Sequence, residues 1–227
     1  MAPRPLHIYF ALIGLVIVVN ICGANNNSSR WEPEIKAFEA QDRTNPPPNG
    51  AVLFIGSSSI RLWTNLAEAF PSMATLRRGF GGSYLPDQTA FAERIIFPYR
   101  PSKIVVYAGE NDIARGDSPQ DVSKAFRAFV GKMHDKFPKT PIFYISIKPA
   151  PSRWHLSPQE REANRLIRSY CRRHKLLQFI DIWPLLLDQN GRPSSSLFVA
   201  DQLHLNEKGY ALWAKEIRQA LHLSRTL

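Results

Sequence analysis

From residue 51 onward, short apolar runs alternate with longer stretches whose apolar residues recur at helical spacing. Runs at 51–55, 75–77, 103–107, 141–147 and 178–182 are short and rich in Ile, Val, Phe and Tyr, which predicts five strands. Between them, Ser118 precedes Pro119 and stands three residues before Asp121, which predicts a capped helix start. Ser157, Pro158 and Glu160 predict a second capping box, opening a helix to about residue 175. In that helix Ala163, Leu166, Ile167, Tyr170 and Cys171 share one side, and Arg161, Arg165, Arg168 and Arg172 form a basic stripe opposite. Asn206 is placed to cap a last helix over 207–221, with Tyr210, Leu212, Trp213, Ile217 and Leu221 on its apolar side. Strand, loop and helix in repeated succession predict an α/β fold, a three-layer α/β/α sandwich around a five-stranded parallel sheet.

The segment before residue 51 differs. Arg4 precedes an apolar stretch at 8–19, and Cys22-Gly23-Ala24 offers small residues for a signal peptidase. Residues 1–24 therefore read as a signal peptide or, uncleaved, an N-terminal anchor; the stretch is shorter than the roughly 20 apolar residues of a membrane-spanning helix. The expected location is secreted or periplasmic, with membrane anchoring as the alternative. Residues 25–50 read as a polar lead-in, with room for a short helix around 33–41, and 51–227 as one domain.

With 227 residues, 44% of them hydrophobic, the chain can bury one ordinary core. Net charge is +10, or +9 without Arg4, because the first 24 residues contain no acid. This favours anionic surroundings such as lipid head groups or acidic glycans. No nucleic-acid-binding motif accompanies the charge. Without Cys22, Cys171 is the only cysteine, so no intramolecular disulfide is expected, and Cys171 reads as buried filler.

Open α/β sheets place their sites at the carboxyl ends of the strands, and four polar blocks fall at such loops. Gly56-Ser57-Ser58-Ser59 follows the first strand, Gly79-Phe80-Gly81-Gly82 the second and Gly109-Glu110-Asn111-Asp112 the third, while Asp201-Gln202-Leu203-His204 precedes the last helix. A serine in a tight turn between strand and helix exposes its hydroxyl and aims its N–H into the same space, near the positive end of the helix dipole. The residues alone leave Ser57, Ser58 and Ser59 open. Asp201 and His204, three apart, can bring carboxylate to imidazole and fix its tautomer. Gly82 can offer a backbone N–H, and Asn111 a side-chain amide that donates without titrating, to a developing oxyanion. His155, after the fourth strand, is a rival base.

Together the four blocks resemble those of the SGNH hydrolases, or GDSL esterase/lipase family, in the usual order from Val52 to Tyr210. The resemblance implies a flavodoxin-like sheet and aligns Ser58 with the family serine that follows Gly-Asp, although Ser57 stands here where aspartate is usual. It implies Ser58, His204 and Asp201 as catalytic, and Ser58, Gly82 and Asn111 as the oxyanion hole. The expected function is a serine-dependent carboxylic ester hydrolase working through an acyl-enzyme, with neither cofactor nor metal implied. Expected partners are small-molecule, lipid or acylated-glycan esters; Trp63, Tyr84, Trp154 and His155 are candidates to line the substrate side. Two alternatives stand beside it: a noncatalytic glycan- or lipid-binding module, and a metal-dependent hydrolase using Asp112, Asp201 and His204.

Overall fold

The computed structural model describes residues 30–223, so the expected signal or anchor segment lies outside the described residues. In chain order the elements are α1 (Glu32–Thr44), β1 (Val52–Gly56), α2 (Ser58–Arg61), α3 (Leu66–Ala69), β2 (Thr75–Gly79), α4 (Leu85–Ala90) and α5 (Ala92–Ile95). There follow β3 (Lys103–Tyr107), α6 (Glu110–Ala114), α7 (Pro119–Lys136), β4 (Ile142–Ile145), α8 (Ser157–Cys171), β5 (Leu177–Ile180) and α9 (Glu207–Leu223). All strand pairings are parallel, in the order β2-β1-β3-β4-β5. This is the flavodoxin-like order, whose switch point lies between β1 and β3.

Both faces of the sheet are covered, and the alternation along each strand decides which residue faces which layer. Leu53 and Ile55 of β1, with Ile104 and Val106 of β3, pack against residues of α1, α4, α5, α7 and α8. Val52 and Phe54, with Val105 and Tyr107, pack against α2, α3 and α9. The strands predicted at 141–147 and 178–182 are shorter than expected, at Ile142–Ile145 and Leu177–Ile180. The polar segment contributes α1, longer than the predicted 33–41, and its Trp31 and Ile35 are buried in the first of those cores.

Local signals account for the starts of two of the long helices. The Ser118 hydroxyl accepts from the Asp121 N–H at 3.1 Å, closing the capping box of α7. Asn206 accepts from the Gly209 N–H at 3.1 Å at the head of α9. The box predicted at Ser157 does not form. A 3-10 turn over Pro151–Leu156 runs straight into α8, so Ser157 is already helical and Glu160 is turned into the interior, fully buried. The helix also ends at Cys171, before the predicted 175.

Cys171 is buried, and burial pushes its thiol up to about 12. The basic stripe is partly engaged locally: Arg165 pairs with Glu162, Arg168 with Asp181, and Arg161 lies over the Trp183 ring.

Candidate active site

The turn after β1 depends on glycine. Gly56 has φ +151°, and a Cβ there would lie 2.0 Å from the Tyr107 carbonyl oxygen, which itself accepts the Ser57 N–H at 3.1 Å. The close approach of β1 to β3 thus fixes where the chain leaves the sheet. Ser57 and Ser59 are buried, while Ser58 is half-buried at the head of α2. That helix is a single turn, so it contributes little of the dipole a longer helix would bring.

The residues predicted at the far end of the chain meet this serine. His204 Nε2 lies 2.8 Å from Ser58 Oγ, and His204 Nδ1 lies 2.6 Å from Asp201 Oδ2. Asp201 Oδ1 accepts the N–H groups of Leu203 and His204, both at 2.9 Å, so the carboxylate is fixed by its own loop. Partial burial raises the Asp201 carboxyl, but hydrogen bonds from the His204 N–H, the His204 ring and the Leu203 N–H outweigh it and hold the group at about 2. An ionised Asp201 keeps the proton of neutral His204 on Nδ1 and leaves Nε2 facing the hydroxyl as an acceptor. The rival His155 is exposed and makes no hydrogen bond to the serine.

The glycine loop after β2 is held from several sides. Trp31 Nε1 donates to the Gly81 carbonyl at 2.8 Å, and the Ser83 hydroxyl donates to the Phe80 carbonyl at 2.7 Å while accepting from Gln88. Gly82 has φ +73°, a left-handed conformation that favours glycine. Neither the Ser58 N–H nor the Gly82 N–H has an acceptor among the described residues. Asn111, on α6, donates its amide to the Ser83 carbonyl at 3.1 Å, tying the third block to the second.

Asp112 serves this scaffold. It is fully buried, and its carboxylate accepts the Leu85 N–H at 3.0 Å, pinning the start of α4 beside the glycine loop. Burial pushes its carboxyl up to about 6. Among the described residues no three His, Cys, Asp or Glu side chains come together as a metal-binding group, so Asp112, Asp201 and His204 do not form the ligand set of the metal alternative. Trp63 also leaves the list of substrate candidates, because it is buried between Phe54, Phe70, Tyr210 and Trp213. Tyr84 packs edge-on against Trp31 beneath the Arg115 guanidinium, and Trp154 lies half-buried beside Trp183.

A buried charged cluster beneath the site escaped the sequence reading. Lys148, fully buried after β4, donates to Glu110 at 2.5 Å and to the Tyr107 hydroxyl at 3.2 Å; that hydroxyl donates to Glu110 at 2.6 Å. Burial raises the Glu110 carboxyl, but Lys148 and Arg153 outweigh it and keep the group below its ordinary range. A lysine closing an apolar strand was the available signal, since charge at the carboxyl edge of such a sheet points to a site.

Glu160 lies near the same cluster with neither carboxylate oxygen hydrogen-bonded, and burial followed by repulsion from Glu110 pushes its carboxyl up to about 8. Its folded pKa exceeds the unfolded value, so the folded state holds the proton more tightly. Its contribution to stability is complete below about 4.5 and is lost as pH rises through about 8. Urea denaturation at pH 5 and pH 8 should therefore show wild type losing on the order of 3 kcal/mol more than Glu160→Gln over that interval. Equal pH dependence in the two proteins would contradict the assignment.

The model of the GDSL-like lipase/acylhydrolase family matches residues 55–212, spanning all four blocks. The chain belongs to this family. Its chemistry is ester hydrolysis, which makes the chain an enzyme acting on ester bonds. No curated protein matches the sequence. Among solved structures, a Streptococcus pneumoniae protein named for platelet activating factor superposes with a TM-score of 0.75 at 20% identity, covering 85% of this chain and 94% of its own. A GDSL-like lipase from Bacteroides thetaiotaomicron gives 0.69 at 18%, covering 87% and 98%. A carbohydrate esterase of family 3 from Talaromyces cellulolyticus gives 0.62 at 15%, covering 78% and 98%. At such identities these likenesses establish the α/β sandwich that the family shares.

Proposed function

We propose that the chain is a serine-dependent carboxylic ester hydrolase that works through an acyl-enzyme. The observation that carries this reading is the continuous hydrogen-bonded line from Ser58 Oγ through His204 to Asp201, at 2.8 and 2.6 Å, drawn from two loops 146 residues apart. His204 takes the serine proton as Ser58 attacks the ester carbonyl, and Asp201 stabilises the imidazolium. The proton then passes to the leaving alcohol. The Ser58 N–H, the Gly82 N–H and the amide hydrogen of Asn111 not used by Ser83 hold the oxyanion. Water, activated by the same imidazole, releases the acid and restores the serine. The Asp201 carboxyl is held at about 2, so it is ionised at neutral pH and keeps the base oriented there.

The substrates proposed are esters of small molecules, lipids or acylated glycans, the range spanned by the family. The basic leader and apolar stretch of residues 1–24 support export, with the catalytic domain secreted, periplasmic or tethered at a membrane surface. Purified protein lacking residues 1–24 should release acid from one or more members of a panel of acetyl to palmitoyl esters and acetylated glycans. Failure on every member, with a folded protein that binds glycans or lipids, would favour the noncatalytic module instead.

A further inference from the structure

A carboxamide is a two-fold rotor whose oxygen and nitrogen ends nearly coincide in shape, so an asparagine donates toward an oxyanion all of the time only if its two ends are held apart by their partners. In this chain Arg153 Nη1 donates to Asn111 Oδ1 at 3.0 Å, while Asn111 Nδ2 donates to the Ser83 carbonyl at 3.1 Å. Arginine cannot accept a hydrogen bond and a carbonyl cannot donate one. Turning the amide over would therefore face two donors on one side and two acceptors on the other.

Arg153 is itself held from behind. Its guanidinium lies 3.5 Å from Glu110 Oε1, and the other oxygen of that carboxylate is fixed by buried Lys148 and the Tyr107 hydroxyl. Its own 3-10 turn is bound to the loop carrying the acid and base, because Ser152 donates through both its N–H and its hydroxyl to the Gln202 carbonyl at 3.0 Å. One turn after β4 thus touches the oxyanion side through Arg153 and the Asp201–His204 loop through Ser152.

We propose that Arg153 is a positioning residue, which locks the Asn111 carboxamide with its N–H end toward the oxyanion. The inference rests on the reading of Asn111 as an oxyanion donor, and the variants below separate the two. On a short-chain chromogenic acyl ester, Asn111→Ala should lower kcat about 100- to 1,000-fold. Arg153→Met should lower kcat roughly 10- to 100-fold with KM nearly unchanged, since a free rotor still donates part of the time. In the Asn111→Ala background the same substitution should change kcat less than about twofold, because the group it positions is gone.

Arg153→Lys keeps a charge opposite Glu110 but offers a rotating ammonium in place of a planar fork, and its loss should be smaller than that of Arg153→Met and likewise vanish beside Asn111→Ala. If Arg153→Met melts far below wild type, the lysine variant carries the comparison. Full kcat in both Arg153 variants, an equal loss in both backgrounds, or a rise in KM alone would overturn the positioning role. An unchanged kcat in Asn111→Ala would instead remove the oxyanion reading, and the inference with it.

Discussion

Ser58→Ala should lower kcat on a short-chain chromogenic acyl ester by roughly 10⁴- to 10⁶-fold, with its melting temperature nearly unchanged. Ser58 is half-buried and its hydroxyl bonds His204 at the surface of the fold, so its loss creates no core cavity. His204→Ala should produce a similar fall, and the double variant should be little worse than either single one. That non-additivity separates a catalytic unit from two residues that each merely help to bind substrate. Stopped-assay kinetics on the three variants, with thermal melts alongside, make the comparison. Retention of full activity in Ser58→Ala would reject the nucleophile, and independent, multiplicative losses would reject the unit.

The second large effect concerns stability. Lys148 and Glu110 are both buried beneath the site, so Lys148→Met leaves a carboxylate in the interior with Arg153 as its remaining nearby cation. Removing one partner of a buried pair costs about 3–5 kcal/mol, which for a chain of this size lowers the melting temperature by roughly 10 °C. Adding Glu110→Gln to the lysine variant should recover part of that loss, because the orphaned charge is removed. A melt indistinguishable from wild type in Lys148→Met would show that the pair does not hold the floor of the site.

What could be read from the sequence, and what could not, follows from the range of the interactions involved. Strands buried on both faces read as nearly continuous apolar runs, so β1 and β3 stood out, and the carboxyl edge of the sheet followed from the alternation with helices. Asp201 and His204 were legible because three residues separate them and their own backbone completes the geometry. Ser118 and Asn206 were legible for the same local reason.

Glu160 misled the reading because a capping box is a local pattern, and the 3-10 turn before it overrode that pattern by making Ser157 helical. The partnership of Glu110 with Lys148 spans 38 residues, and that of Arg153 with Asn111 spans 42; no periodicity links such positions. The contribution of the polar segment was hidden likewise. Its Trp31 reaches the glycine loop 50 residues onward, a contact only the tertiary fold creates. The dipole expected at the serine was overestimated because nothing in Gly-Ser-Ser-Ser revealed that α2 stops after one turn.

Treatment of the purified protein with a serine-directed phosphonate, followed by intact mass and peptide mapping, tests the nucleophile most directly. The account predicts a single adduct on Ser58, esterase activity lost in step with labelling, and no adduct in Ser58→Ala. Labelling at a different residue, or undiminished activity after one equivalent is bound, would contradict it.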